Sequence, residues 1–311
     1  MRMTRRKYLR ASLLAVAGAS VTTGASALAA PLATPVKVIG FSKPFSDYNP
    51  DDTADLVAEI GWSGIDCPIR EKNTHIRPER IEEDLPKMVD ALHRRGKEVT
   101  MVTTDILRRD ERAEKILRTV AKLGIKKYRF GFAHYDKAKP VPETVREVGK
   151  ELTELAVFNR ELGLQGGYQN HSGTDYIGAP VWDLWLMMKD LDPATIGIFY
   201  DLGQGMIEGG LSWPVQARLT QSLWGAIQLK DFVWENDPAK GWNPRWLPLG
   251  EGRMTKAVFD EMMAFDFPNS IPLIQHHEHL KPGTPRAELI AGLKKDFATL
   301  RSWLGERAPS A

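Results

Sequence analysis

The sequence predicts a single α/β domain, a closed (β/α)8 TIM barrel. Two observations predict it: eight short apolar runs each end in polar or ionisable residues, and helix-like sequence follows them. This alternation is typical of a parallel barrel, in which the carboxyl ends of all strands meet at one face. The runs are VKVIGFSK (36–43), SGIDCPIR (63–70), EVTMVTTD (98–105), YRFGFAHYD (128–136), LQGGYQNH (164–171), IGIFYD (196–201), GAIQLKD (225–231) and PLIQHHEH (272–279). We therefore expect their polar ends to share one pocket.

The stretches between the runs carry helix signals. Pro50-Asp51-Asp52 precedes ADLVAEI, which Gly61 ends, and RIEEDLPKMVDALHRR and ERAEKILRTVAKL end at Gly96 and Gly124. Their apolar residues recur at i, i+3 and i+4, the spacing of an amphipathic helix. The segment from Trp234 to Gly252 is rich in Pro, Trp, Asn and Gly, which favours a long loop of the kind that acts as a lid.

Composition excludes several classes of protein. The chain has 311 residues, 42% of them hydrophobic and 26% charged, which is enough apolar sequence for one large core. A net charge of +2 shows no excess of one sign and argues against nucleic acid as a partner. The only cysteine, Cys67, excludes an intrachain disulfide.

The N-terminus resembles a twin-arginine export signal. Arg5-Arg6 precede the mild apolar stretch LLAVAGASV, and Ala27-Leu28-Ala29 has the pattern of a signal-peptidase site. The stretch is too short and too rich in Gly, Ala and Ser for a stable membrane anchor. We expect a signal peptide over 1–29, a linker over 30–35, the barrel over 36–305 and a tail over 306–311. This predicts export by the twin-arginine machinery to the periplasm.

Four strand ends carry the candidate catalytic residues. Alternation along the last strand sends Gln275 and His277 to one side and His276 and Glu278 to the other, so one pair faces the barrel mouth. The remaining candidates are His171, in a run too polar to end inside a core, Asp201, which could bind a metal or cap a helix, and Lys230, which could stabilise an enolate oxygen or pair with Asp231.

Polar residues at the other strand ends and loops are candidates for substrate binding, because a sugar offers hydrogen-bond donors and acceptors in a fan. They are Asp66, Arg70, His75, Asp105, His134, Gln169, Asn170, Gln228 and Glu251.

The order of motifs resembles the sugar phosphate isomerase/epimerase group of the xylose isomerase-like TIM-barrel superfamily. The motifs are GWSGIDCPIR, His75-x-x-Pro-Glu, TTDI, GYQNHSG, YDLG, LKDF, PLGEG and the glutamate of the eighth strand. The resemblance implies a divalent metal (Mn, Mg, Co or Zn) at the ends of strands five to eight, with Asp201 and Glu278 as ligands here and His171 or His277 as possible replacements for ligands that this sequence lacks. The glutamate and histidine ligands common in the group fall at Gln169 and Gln228, and neutral amides are weak ligands for such metals.

Together these features predict an enzyme that removes a proton next to the carbonyl of a sugar without a phosphate group, in an isomerisation or epimerisation. Glu278, His171 and Lys230 would be its catalytic residues. One alternative is a lyase or hydrolase acting on 3-keto-glycosides, and an alternative of another class is a barrel that binds a carbohydrate without converting it.

Overall fold

Eight parallel strands close into a barrel in the computed structural model, which describes residues 36–239, 241–267, 270–281 and 283–305. The predicted signal peptide, linker and tail lie outside these residues. The barrel strands are β1 (Val38–Phe41), β2 (Gly64–Pro68), β3 (Glu98–Thr103), β4 (Lys127–Arg129), β5 (Gln165–Tyr168), β6 (Ile196–Asp201), β7 (Trp224–Leu229) and β10 (Leu273–Gln275). Each pairs in parallel with its neighbours, and β1 joins β10 to close the ring. The predicted fold is confirmed.

Nine helices surround the barrel within the residues that the structure describes. They are α1 (Pro50–Ile60), α2 (Ile81–His93), α3 (Glu111–Lys122), α4 (Val141–Leu162), α5 (Val181–Met188), α6 (Leu202–Gly209), α7 (Trp213–Thr220), α8 (Lys256–Met263) and α9 (Arg286–Trp303). Helix α1 shows why the sequence signals work: the Asn49 side chain caps its first turn, and Gly61 ends it at a φ of 100°, which favours glycine.

A β-hairpin connects β7 to α8, where the sequence predicted a long loop. Strands β8 (Asp231–Asp237) and β9 (Gly241–Leu247) pair antiparallel directly after β7. The Phe232 ring packs against Trp234 on its own strand and against Trp246, its partner on the other strand, and an aromatic pair across strands stabilises a hairpin. The prediction of a long loop from Trp234 to Gly252 was therefore wrong for most of the segment, which the two strands occupy.

Apolar side chains fill two layers. Inside the barrel, Ile39, Phe41, Met101, Phe199, Ala226 and Ile274 form a buried cluster. The larger layer lies between the strands and the helices. Because strand residues alternate between the two layers, the residue that follows an inward apolar residue by two also points inward, above the apolar cluster. No helix within the described ranges is long and apolar enough to cross a membrane.

Candidate active site

A buried ion pair lies at the centre of the barrel mouth. Lys230 Nζ is 2.9 Å from Asp201 Oδ2, and both side chains are buried. Alternation explains their meeting: Asp201 follows the inward Phe199 by two positions, and Lys230 follows the inward Ala226 by four. The Asp201 carboxylate also caps α6, since its Oδ1 accepts the amide of Gln204 at 2.9 Å. The ammonium has further N–H donors that can bind a ligand.

Lys230 does not pair with its neighbour Asp231, an arrangement that the sequence had left open. The Asp231 carboxylate instead accepts the backbone amides of Phe232, Gly250, Gly252 and Met254 at 2.7 to 2.9 Å. Adjacent strand residues point to opposite sides, so Asp231 fixes the turn that follows the hairpin while Lys230 enters the barrel.

Three amide side chains surround the ion pair. Gln169 Nε2 donates to Asp201 Oδ2 at 2.6 Å, and Asn170 exchanges two hydrogen bonds with the Asp201 backbone. Gln228 is fully buried, and neither atom of its amide has a hydrogen-bond partner among the described residues; the same holds for Gln169 Oε1. A buried amide without a partner lowers stability by about 1–3 kcal/mol. A ligand hydroxyl that forms hydrogen bonds with these amides would remove that cost.

The segment after β10 shows which pair of side chains faces the mouth. Gln275 binds Trp62 Nε1 and the Asp296 carbonyl, and His277 Nδ1 lies 2.6 Å from Asp296 Oδ2, so both point outward to the helices. His276 and Glu278 point to the mouth, where the His276 ring packs on Phe41 with 4.7 Å between centroids.

Glu278 is held ionised between two ammonium groups and the His276 ring. Burial alone would raise the pKa of its carboxyl, but the neighbouring His276 side chain and the charges of Lys230 and Lys43 outweigh burial and lower the pKa well below its usual range. The Lys43 ammonium is 3.3 Å from Glu278 Oε2. A cavity of about 50 Å³ lies beside Phe41, Lys43 and Glu278, so the carboxylate is within reach of a small group.

The two histidines of the mouth are neutral near pH 7. Burial lowers the pKa of His276 to about 4. The pKa of His171 is lowered by burial and by the charge of Lys230. His171 Nδ1 lies 2.8 Å from the Ser172 carbonyl oxygen, and a carbonyl only accepts, so Nδ1 carries the hydrogen. The basic nitrogen of His171 is therefore Nε2.

A second charged cluster lies on the side of β2 to β4. Thr103 Oγ1 is 2.8 Å from the Asp66 carboxylate, and Arg129 Nε donates to Thr103 Oγ1 at 3.0 Å. Burial lowers the pKa of Arg129 to about 10 and raises that of Asp66. The Arg70 and Arg129 guanidiniums lie 5.8 and 5.5 Å from the Phe41 ring centroid. This cluster brings two predicted binding residues, Asp66 and Arg70, to the mouth.

Sequence reasoning missed Arg129, and it identified His276 and Lys43 only as polar residues at strand ends, without a role. Arg129 lies between the outward Tyr128 and Phe130, so strict alternation in YRF would have turned it inward. His276 shares the face of Glu278 for the same reason. Lys43 ends the first run, but strand alternation does not give its direction, because it lies in a short 3-10 turn after β1.

Four predicted binding residues lie apart from the ion pair. Asp105 and His134 are exposed, with the His134 ring against Tyr176. The His75 ring is close to Phe45, and burial lowers its pKa to about 4. Glu251 forms an ion pair with Lys295 of α9 instead of covering the mouth.

The predicted metal ligands Asp201, Glu278 and His171 are not assembled as a metal site. Both oxygens of Asp201 already accept N–H groups, from Gln169 and Lys230 on Oδ2 and from Gln204 on Oδ1. A cation at Asp201 would face these protons and the Lys230 ammonium. Within the described ranges, no three His, Cys, Asp or Glu side chains are grouped to hold a metal ion. The residues as placed do not fit a divalent metal.

Solved structures of low sequence identity share this architecture. The apo 3-keto-D-glucoside 4-epimerase of E. coli has 14% identity and a TM-score of 0.62, with 87% of this chain and 99% of that chain covered. A xylose isomerase-like TIM barrel protein from Mycobacterium smegmatis in complex with magnesium has 17% identity and a TM-score of 0.60, with 86% and 98% covered. The IOLI protein with a bound zinc atom has 12% identity and a TM-score of 0.66, with 88% and 100% covered. These similarities show the fold.

No curated protein sequence is detectably similar to the chain. The model of the family described as xylose isomerase-like TIM barrel matches residues 54–300, which is most of the barrel. The chain belongs to the xylose isomerase-like TIM barrel family.

Proposed function

We propose that this protein is an enzyme that removes a proton from the carbon next to a carbonyl group of a sugar without a phosphate group. The observation that carries the proposal is the buried Lys230 ammonium, held on Asp201 at 2.9 Å in the same mouth as Glu278. A fixed cation beside an ionised carboxylate is the pair that such a reaction needs.

Glu278 would be the base. Its lowered pKa keeps the carboxylate ionised at neutral pH, so it can accept a proton, although a carboxylate of low pKa is a weak base. The C–H bond must therefore be made acidic by the neighbouring carbonyl. That requirement restricts the substrate to ketoses, aldoses in their open form and oxidised sugars.

Lys230 would stabilise the oxygen of the enolate that forms. Negative charge develops on the carbonyl oxygen as the proton leaves, and an ammonium in a buried site stabilises it far more than in water. Because Asp201 and Gln169 fix the ammonium, little reorganisation accompanies the reaction.

His171 would return or take the second proton through Nε2. A proton returned to the opposite face of the same carbon gives an epimer. A proton returned to the former carbonyl carbon gives an isomer, provided that the hydroxyl proton of the first carbon moves to the former carbonyl oxygen. If the carbon β to the carbonyl bears a glycosidic oxygen, the enolate re-forms the carbonyl and expels that oxygen, which takes up the proton that was removed; this is the outcome expected of a lyase acting on 3-keto-glycosides.

We also propose that the reaction does not depend on a divalent metal, because the Lys230 ammonium lies where a cation on Asp201 would be bound. Activity of the purified protein should then change less than about twofold after treatment with a chelator. A loss restored by Mn²⁺ or Zn²⁺ would contradict this.

Exchange of substrate protons with solvent tests the proposed function. Mature protein lacking residues 1–29 is incubated in D2O with ketohexoses, aldohexoses and 3-keto-sugars, and NMR follows deuterium at the carbon next to the carbonyl. We expect exchange with at least one class, and Glu278→Gln should reduce it about a hundredfold or more, because an amide cannot accept the proton.

The same experiment separates the alternative of another class. The partnerless amides of Gln169 and Gln228 are also suited to binding a sugar without converting it. If sugars bind but no deuterium enters, and Glu278→Gln leaves binding unchanged, the protein is a carbohydrate-binding barrel.

The periplasm is the proposed location. The signal over 1–29 motivates it, and it agrees with a substrate that carries no phosphate group. Fusion of residues 1–35 to a reporter that is active only after export should give activity, and replacing Arg5-Arg6 with Lys-Lys should abolish it.

A further inference from the structure

A cleft separates the hairpin β8–β9 from the loop that follows β10. Its volume is about 520 Å³, and Glu235, Asn243, Arg245, Trp246, Glu278 and Lys281 are among its lining residues. We call it the rim cleft. Ligand sites commonly occupy roughly 300–1,000 Å³, whereas the cavity beside Phe41 and Lys43 occupies only about 50 Å³.

The rim cleft adjoins the candidate active site. Glu278, the proposed base, lines both the rim cleft and the small cavity. Trp246 lines the rim cleft, and its ring lies 5.0 Å from Lys230 Nζ. A molecule bound with its reacting carbon at Glu278 therefore has the rim cleft directly beside it.

The lining of the rim cleft suits a neutral hydroxylated ring. It combines carboxylates, a guanidinium, an ammonium and an amide with one indole face. Glu235 and Arg245 neutralise each other at 3.2 Å. The carboxylates of Asp237 and Glu278 and the Lys281 ammonium also lie along it, so charges of both signs line the cleft. Sugar hydroxyls match such mixed donors and acceptors, while the C–H face of a sugar packs on an aromatic ring.

We propose that the rim cleft binds a second ring, so that the substrate is a glycoside whose reacting sugar lies at Glu278 and whose attached sugar lies against the hairpin. The proposal rests on the proposed function for the position of the reacting sugar. It assigns the hairpin a role in specificity that a monosaccharide enzyme would not need.

Binding of matched sugars tests the rim cleft. Calorimetry measures the affinity of mature protein for glucose, galactose and xylose, and for cellobiose, maltose, lactose and xylobiose. We expect at least one disaccharide to bind about tenfold more tightly than its monosaccharide. The double variant Glu235→Ala/Arg245→Ala should reduce that ratio to near one and leave monosaccharide affinity unchanged.

A matched control removes another exposed ion pair. Lys256→Ala/Asp260→Ala on α8 deletes a pair of similar exposure, 54% for each side chain against 52% and 58%, and should keep the disaccharide preference. Thermal melting checks that each variant is folded, since exposed pairs contribute little stability.

Either of two results would contradict the proposal that the rim cleft binds a second ring. In the first, no disaccharide binds more tightly than its monosaccharide. In the second, the variant Glu235→Ala/Arg245→Ala weakens the binding of monosaccharide and disaccharide equally. Deuterium exchange tests the proposed function independently of sugar binding. If disaccharides bind preferentially but no deuterium exchange occurs with their 3-keto forms, the rim cleft stands and the enzymatic proposal fails.

Discussion

The inward and outward faces of the segment Gln275–Glu278 differ in how their polar atoms are partnered. Outward, Gln275 bridges Trp62 and the backbone of Asp296 through both atoms of its amide, and His277 Nδ1 contacts the Asp296 carboxylate at 2.6 Å, so that only His277 Nε2 has no partner among the described residues. Inward, neither ring nitrogen of His276 has a hydrogen-bond partner among the described residues. The outward contacts hold α9 against the barrel, and the inward groups remain available to a ligand.

Whether a buried polar side chain has a partner in the protein distinguishes structural groups from ligand-binding groups better than its residue type does. Over the whole barrel, histidine, glutamine and carboxylate side chains occur on both the inward and the outward faces of the strands. A buried polar group with a protein partner stabilises the fold, whereas one without a partner lowers stability unless a ligand binds it. Gln228, His276 and Gln169 Oε1 belong to the second kind.

The largest effect is expected from Lys230→Met, which removes the inward cation. Turnover and deuterium exchange should fall about 100- to 1,000-fold, the size of effect seen when a donor to a developing oxyanion is lost. The variant also leaves Asp201 buried without its counter-ion, which lowers stability.

The double variant Lys230→Met/Asp201→Asn separates these two consequences. It should recover stability in urea unfolding, because no isolated charge remains, yet stay inactive. Recovery of activity in the double variant would show that Lys230 only neutralises Asp201.

The next prediction compares the stability of two variants in which leucine replaces a glutamine, one on the outward face and one on the inward face. Gln275→Leu should lower the free energy of unfolding by about 2–4 kcal/mol, because Trp62 Nε1 and the Asp296 carbonyl lose their partner. Gln228→Leu should leave stability equal or slightly higher, since its amide has no described partner to lose, and should raise KM.

Urea unfolding with an unchanged m value measures both stabilities. Equal destabilisation by the two leucines, with unchanged KM for Gln228→Leu, would show that the inward amide is structural too.

The fold was predictable because alternating runs and helix end signals are local. The site was predictable only in part. Alternation divided residues 275–278 into two sets correctly but could not say which set faced the mouth, because direction depends on how the sheet closes. The pairing of Lys230 with Asp201 joins neighbouring strands through their register, which the sequence does not reveal.

The hairpin and Lys43 show a different limit. The Pro, Trp, Asn and Gly residues of this segment resemble a loop in composition, and only the pairing of β8 with β9 turns it into a hairpin. Lys43 reaches Glu278 from a turn, 235 residues away in the sequence.

The smallest effect is expected from Lys43→Met. Its ammonium is one of the groups that lower the pKa of Glu278, so its removal raises that pKa and moves the acid limb of the kcat/KM profile to higher pH. Lys43 and Glu278 are 30% and 25% exposed, and solvent screens such a pair. We therefore expect only about a two- to fivefold loss on the acid limb, with the plateau near pH 7 retained. Lys43→Arg keeps the charge and should restore the profile. A plateau lowered as much as the acid limb would mean that Lys43 binds substrate, and the inward face would then extend to the turn after β1.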